Sequence, residues 1–285
     1  MTATLDRYIP GVPCWADTSQ PDEDAAATFY SGLFGWDTHN VNPPEAPGKY
    51  LIGAINGREA GAIAGFRDRA PQIPTWNTYI WVESADATAA AVKDAGGAIL
   101  AEPFDVPGQG RMAVFADREG AAFLVWEPKE HRGATHVNEH GGVNFNDLYT
   151  RDPQAAKEFY GAVFGWGVLD MGDWSAWTLP GYAEHLEKLN PGTIAGAAEM
   201  GAPDGFTDVV ATIVPITDDT HPRWGITFGV NDADAVAAKV TELGGRVISE
   251  PVDIPWVRTA VVADPAGAVF SINQFKPENA PKSVV

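Results

Sequence analysis

Apolar and polar residues alternate along several short stretches of the chain, and longer segments with a helical period run between them. In Gly11–Thr18, Val12, Cys14 and Ala16 alternate with Pro13, Trp15 and Asp17, which predicts a strand. Ser19-Gln-Pro-Asp22 is turn chemistry. Pro21, Asp22, Glu23 and Asp24 suit a helix start, where acids meet the positive end of the helix dipole. Phe29, Leu33 and Phe34 share one face of that helix, and Gly35 stands where a left-handed residue would stop it. Lys49–Phe66 is glycine-rich and alternating, and predicts two or three strands with Asn56-Gly57 as a hairpin turn. A second run follows: strand Thr78–Val82, helix Ala87–Ala95 closed by Gly96-Gly97, and the short apolar run Ala98–Leu100. It continues with a proline-bounded loop to Pro107, strand Arg111–Ala116, turn Asp117–Gly120 and strand Ala121–Glu127.

The pattern then starts again. Phe29-Tyr-Ser-Gly-Leu-Phe-Gly-Trp36 returns as Phe159-Tyr-Gly-Ala-Val-Phe-Gly-Trp166, 130 residues later, with six of eight positions identical. Val143–Thr150 reads as the strand before it, and Asp152-Pro153 as the helix start. Gly225–Val230 is a strand, Asp232 opens a helix, and Gly244-Gly245 ends it. Glu102–Pro107 matches Glu250–Pro255 at an offset of 148, and Asp117–Gly120 matches Asp264–Gly267 at 147. About 18 extra residues therefore sit between Trp166 and Trp224, around Tyr182–Pro191 and Pro215–Pro222. They are expected as surface loops that could close as a lid. The predicted organisation is a first domain at 8–130 (modules 10–68 and 74–130), a linker at 131–141, a second domain at 142–277 (modules 142–200 and 208–277), and a frayed tail at 278–285.

Composition narrows the partners. The 285 residues carry 38 acidic and 19 basic side chains, a net charge of −19, which argues against nucleic acid and anionic membranes. A single cysteine, no secretory leader and no membrane-length apolar run predict a cytoplasmic protein. His131, His136 and His140 in the linker lack Cys or Asp partners and are read as solvated rather than ligating.

Four strand–helix–three-strand copies, the Asp152-Pro153 helix entry, the two Phe-Tyr-x3-Phe-Gly-Trp strings, the paired Gly-Gly stops and the Asp264-Pro-Ala-Gly267 turn resemble the vicinal oxygen chelate superfamily. That superfamily includes glyoxalase I, extradiol dioxygenases and bleomycin-resistance proteins. More narrowly, the chain is similar to two-domain actinobacterial glyoxalase-like or hydroxylase-like members, over about residues 10–276. The resemblance implies an α+β fold of four βαβββ modules, paired into two domains whose curved mixed sheets form cups. It also implies where metal-using members keep ligands. Carried onto this chain, those positions are Trp15, Asn77 and Leu124 in the first cup, and Phe145, Gly225 and Ser271 in the second. The remaining one falls near Gly61 or Ile63, and near Gly196 or Ala198. None is His, Asp or Glu, so no metal and no cofactor are expected.

Extending the resemblance by strand alternation lines the first cup with Trp15, Asp17, Asn77, Tyr79, Trp81, Ala122, Leu124 and Trp126. The second receives Phe145, Asp147, Tyr149, Gly225, Thr227, Gly229, Val269, Ser271 and Asn273. Arg111 and Arg258 match each other and join the ligand-binding candidates. The aromatics suit a flat, largely apolar molecule oriented by one or two hydrogen bonds, although each alone could simply fill the core. Asp17 and Asp147 are equivalent and are the catalytic candidates as general acid or base. The bland alternative is that each caps a turn or pairs with Arg111 or Arg258. Glu184 and His185 are a further acid–base pair, or an exposed loop. Cys14 points away from the cup and is read as packing. The expected function is metal-independent binding of a small apolar or aromatic molecule, for sequestration or as an accessory in secondary metabolism. The alternative is a glyoxalase-like lyase, isomerase or hydroxylase-like enzyme using an Asp base; a metal-dependent dioxygenase or glyoxalase ranks last. With four modules on one chain a monomer can close both cups, and a homodimer is the alternative.

Overall fold

A computed structural model describes residues 6–66, 73–172, 174–217 and 220–280. In chain order the first two modules are β1 (Pro13–Gln20), α1 (Glu23–Phe34), β2 (Asp37–Asn40), β3 (Tyr50–Ile55) and β4 (Arg58–Gly65), then β5 (Thr75–Trp81), α2 (Ala85–Asp94), β6 (Ala98–Val106), β7 (Gly110–Ala116) and β8 (Ala122–Pro128). The third is β9 (Val143–Thr150), α3 (Pro153–Phe164), β10 (Gly167–Asp170), β11 (Ser175–Thr178), α4 (Tyr182–Leu189), α5 (Thr193–Glu199) and β12 (Val209–Pro215). The fourth is β13 (Arg223–Gly229), α6 (Ala233–Glu242), β14 (Arg246–Ile254), β15 (Val257–Ala263) and β16 (Val269–Phe275). The strands join in two mixed eight-stranded sheets, β2-β3-β4-β1-β5-β8-β7-β6 and β10-β11-β12-β9-β13-β16-β15-β14. The class is α+β, built from four βαβββ modules.

By contacts the chain divides into two compact units. One holds the chain through Cys14, Thr78–Gly133 and Asn146–Trp224; the other holds Trp15–Asn77, Ala134–Phe145 and the chain from Gly225 on. Each unit is built around one copy of the repeated aromatic string, and we name them by its tyrosine. In the Tyr30 unit, the Asp22 carboxylate caps α1 by accepting from the amides of Asp24 and Ala25, and Gly35 stops it at φ 75°. Phe29, Tyr30, Leu33 and Phe34 are buried with Trp36, Trp76, Phe228 and Phe270. Phe34 and Trp76 meet Phe228 at 4.9 and 5.0 Å between ring centres. Tyr30 Oη donates to Asp264 Oδ2 at 2.9 Å and accepts from Trp76 Nε1 at 3.2 Å. The other oxygen of Asp264 closes its turn, accepting from the amides of Gly267 and Ala268 at 2.8 Å.

The Tyr160 unit repeats this device. Tyr160 Oη donates to Asp117 Oδ2 at 3.1 Å and accepts from Trp224 Nε1 at 2.9 Å. Asp117 Oδ1 accepts from the amides of Glu119 and Ala121, both at 2.9 Å. Phe159, Phe164 and Trp166 complete an aromatic core with Phe123 and Trp177. Burial, with the aspartate beside it, holds each tyrosine phenol well above its ordinary value, so each is a donor. Thus the repeated Phe-Tyr string and the repeated Asp-x-x-Gly turn, far apart in sequence, are two halves of one buried bond.

Three departures from the sequence reading have clear causes. The proline-bounded segment to Pro107 is strand, not loop: β6 runs unbroken to Val106, with register shifts against β7 at Ile99/Ala101 and Ala101/Phe104. An edge strand tolerates proline because one row of its amides has no partner to lose, and β14 does the same with Pro251. The third-module insertion is helical, as α4 and α5. The Glu187 carboxylate accepts from the amides of Gly192 and Ile194 between them, which holds it below the usual range. His136 in the linker is buried, not solvated, and its Nε2 donates to the carbonyl of His140 at 2.9 Å. Of the tail expected to fray over 278–285, the first residues belong to a 3-10 turn at Pro277–Asn279, and residues 281–285 lie outside the described residues, as do the expected leader-free start at 1–5 and the loop at 218–219.

Candidate functional site

Along β1, Ala16, Thr18 and Gln20 turn toward the aromatic core of the Tyr30 unit, so Trp15, Asp17 and Ser19 project from the opposite face. Asp17 is only 3 % exposed. Its Oδ2 accepts from Tyr50 Oη at 3.1 Å, and its Oδ1 from Asn77 Nδ2 at 2.8 Å. Trp15 Nε1 donates to the same Tyr50 oxygen at 2.9 Å, and Asn77 also reaches Ser19 Oγ at 3.1 Å. Indole, phenol, carboxylate, amide and hydroxyl form one polar chain. The structure therefore brings Trp15, Asp17 and Asn77 together and adds Tyr50. Strand register explains the addition. Asp17 lies opposite Ala62 on β4, and Tyr50 lies opposite Ala64. Two methyl-sized side chains let the phenol reach over β4 to the carboxylate. Strand order inside Lys49–Phe66 is not written in its alternation, so the sequence carried no signal for Tyr50.

The equivalent aspartate is dressed differently. Asp147, in the Tyr160 unit, accepts from Thr212 Oγ1 in a short bond; Thr212 occupies on β12 the place of Ala62 on β4. Two residues further on, Tyr149 lies under the Arg223 guanidinium, whose carbon sits 3.9 Å from the ring centre. The Asn77 position is Gly225 in the second copy and offers no side chain.

The remaining candidates fall as follows. In the Tyr160 unit, Tyr79 pairs with Leu124 across β5 and β8. Trp81 is flanked by Tyr8, 6.0 Å between ring centres, and by the Arg132 guanidinium at 4.9 Å. Trp126 Nε1 donates to the carbonyl of His131 at 2.9 Å. In the Tyr30 unit, Thr227 pairs with Ser271 and Gly229 with Asn273, while Phe145 is half-buried. Arg111 and Arg258 are elsewhere. Arg111 bonds Asp86 on α2 at 2.8 and 3.0 Å, and Arg258 bonds Asp234 on α6 at 2.7 and 2.8 Å. Each shares strand parity with core residues, Ala113 and Phe115 or Ala260 and Val262, and so faces the helices. Neither meets the aspartate of its own copy. The arginines hold Asp86 and Asp234 below the usual carboxylate range. In α4, Glu184 is exposed but His185 is buried, with Nε2 3.3 Å from the carbonyl of Arg7, so this segment is not an exposed loop. Cys14 is buried, and desolvation pushes its thiol up, which makes it a packing residue.

Sheet order, module repeat and the twin aspartate strands define the class, and the sequence agrees. The profile of the Glyoxalase/Bleomycin resistance protein/Dioxygenase superfamily matches residues 19–125 and 135–272, and the chain belongs to that superfamily. It is similar to the Mycobacterium tuberculosis protein named "Putative glyoxylase CFP32", 38% identical over 275 residues, covering 95% of this chain and 98% of the relative. It is also similar to the anthracycline biosynthesis protein DnrV of Streptomyces peucetius, 35% identical over 285 residues, 95% and 96% covered. Among solved structures it shares its fold with a Mn(II)-bound glyoxalase from Novosphingobium aromaticivorans. There the TM-score is 0.59 at 16% identity, over 93% of this chain and 83% of that one. The 2,3-dioxygenase LapB from Pseudomonas sp. KL28 is comparable, with a TM-score of 0.58 at 13% identity, 94% and 93% covered.

A fold neighbour that holds Mn(II) raises the question of a metal here. The positions onto which the resemblance carries the superfamily's ligands hold indole, amide, isobutyl, phenyl, hydrogen and hydroxyl groups at Trp15, Asn77, Leu124, Phe145, Gly225 and Ser271. Divalent transition metals need imidazole, thiolate or carboxylate donors, and these residues do not fit one. Among the described residues, no group of three or more His, Cys, Asp or Glu side chains is placed to hold a metal ion. Among the described residues, too, no helix is long and apolar enough to cross a membrane.

Proposed function

We propose that the chain binds a small, flat, largely aromatic molecule without a metal, with the Trp15–Tyr50–Asp17–Asn77 chain as its polar reader. The carrying observation is the Asp17 carboxylate, buried and held by two side-chain donors on a face where metal-using relatives keep ligands. Two fixed hydrogen bonds orient its oxygens, and the indole beside it supplies stacking surface. The anthracycline biosynthesis named for the relative DnrV supports a polycyclic aromatic ligand, and a role in sequestration or as an accessory to biosynthesis follows from that reading. The net charge of −19 favours a small-molecule partner over nucleic acid and fits a cytoplasmic location, and four modules on one chain fit a monomer. The glyoxylase name of the mycobacterial relatives favours a second reading, in which Asp17 is a general base in a lyase or isomerase. The division at 8–130 and 142–277 is proposed as the duplicated unit of the chain.

The test uses a soluble hydroxyanthraquinone and the quenching of tryptophan fluorescence. Wild-type protein is expected to bind it. Asp17→Asn is expected to weaken binding about ten-fold or more, the worth of one hydrogen bond to a charged group. Equal binding by wild type and variant removes Asp17 from the site. Turnover of the probe by wild type that disappears in Asp17→Asn turns the decision to the enzyme reading. Elemental analysis giving a stoichiometric transition metal would overturn metal independence.

A further inference from the structure

Among the described residues, Arg223 is the one arginine or lysine with a buried side-chain nitrogen that has no hydrogen-bond partner. Five of the described arginines have a carboxylate within ion-pair distance, among them Arg58 with Glu139, Arg111 with Asp86 and Arg258 with Asp234. Arg223 has none among the described residues, although the chain carries 38 acids. Its guanidinium face lies 3.9 Å from the Tyr149 ring centre, and its Nη1 is buried without a hydrogen-bond partner among the described residues. A buried guanidinium nitrogen without a counter-charge among the described residues is costly, and stacking on one tyrosine offsets only part of that cost. Stacking covers the face of the guanidinium and leaves its in-plane N–H edge, which is the geometry for two parallel bonds to a carboxylate. The carboxylate two residues before Tyr149 on β9, Asp147, accepts from Thr212. Arg223 also has the strand parity that places Tyr149 and Asp147 on the face away from the helices. In the first copy the matching position is Thr75, so the chain has one such group, not two.

We propose that Arg223 and Tyr149 form a subsite for the carboxylate of an aromatic ligand, one per chain. The carboxylate takes the N–H edge of Arg223 that has no partner among the described residues, and its ring lies beside Tyr149. This deepens the small-molecule reading above and rests on it, but places an anion-reading group in the Tyr160 unit, apart from the Asp17 chain.

The experiment follows 4-fluorobenzoate by 19F NMR line broadening against wild type, Arg223→Gln, Arg223→Lys and Arg58→Gln. Near-UV circular dichroism confirms each fold. Wild type is expected to bind one equivalent. Arg223→Gln is expected to bind at least ten-fold more weakly, because a charge-assisted bond is lost. Arg223→Lys keeps the charge but not the fork and is expected to fall several-fold; it carries the test if the glutamine variant does not fold. Arg58→Gln removes the same charge from an exposed ion pair and is expected to match wild type. Absence of 4-fluorobenzoate binding by wild type, or equal binding by the two Arg223 variants and wild type, overturns the subsite. Hydroxyanthraquinone binding is scored separately, so failure of the subsite and failure of the broader reading give different results.

Discussion

Tyr160→Phe is the sharpest probe of how this fold is held. The substitution removes one oxygen and leaves the ring, which packs edge-on against Phe159 and Trp224 at 5.0 and 5.6 Å between centres. That oxygen donates to Asp117 at 3.1 Å and accepts from Trp224 at 2.9 Å. Losing a bond to a charged group costs about 1.5–3 kcal/mol, and leaving a buried indole N–H unpaired adds about 1–3 kcal/mol. A total near 3 kcal/mol is expected, which lowers the midpoint of thermal unfolding by about 6–12 °C for a chain of this size. The loss should also depend on pH. Burial already raises the Asp117 pKa, against the pull of its turn amides and of Tyr160. A group whose folded pKa is raised makes the folded state less favourable as pH rises through that value. Without the phenol the folded pKa climbs further, so the deficit is larger at pH 7 than at pH 4. Tyr30→Phe should cost less, because Gln20 Nε2 still donates to Asp264 at 2.7 Å. Differential scanning calorimetry of both variants at the two pH values measures this. A Tyr160→Phe loss below about 1 kcal/mol, or one independent of pH, would refute the reasoning.

Other expectations follow from packing and charge. A Cβ at Gly53 would lie 2.2 Å from Trp36 Cε3, so Gly53→Ala is expected to cost about 1–3 kcal/mol, or more if the indole cannot shift, read by urea unfolding. Asp234→Asn should lower the unfolding midpoint at neutral pH and have no effect in acid. The stabilisation from its lowered pKa is present above the unfolded carboxylate value and lost as pH falls through the folded one. Burial, then His136, lowers the His140 pKa, so the neutral ring stabilises the fold fully above about pH 6.5, and that contribution fades as pH falls through its folded value. An imidazole NMR titration with a midpoint at or above the ordinary value would count against this.

Much of the architecture could be read without coordinates. The repeated aromatic string gave the helix ends, and Gly35 and Gly165 stop α1 and α3 at φ 75° and 72°. Alternation placed Trp15 and Asp17 on one strand face, because side-chain direction in a strand is fixed by parity. The error at Arg111 and Arg258 was of the same kind: their parity already matched core residues, and matching the copies to each other said nothing about which face they share. The path of β6 and β14 through proline was hidden because an edge strand spares the amides that proline lacks, and edges are known only once strands are ordered.

The chain by itself determined its local elements and its duplication, since both depend on residues within a turn or a strand of each other. Tertiary structure alone decided who meets whom. Tyr50 reaches Asp17 over two alanines of an intervening strand, Tyr160 seals the turn at Asp117, and Arg223 lies on Tyr149 without a carboxylate among the described residues. These contacts depend on strand order and register across the sheet, which a one-dimensional pattern of polar and apolar residues does not encode.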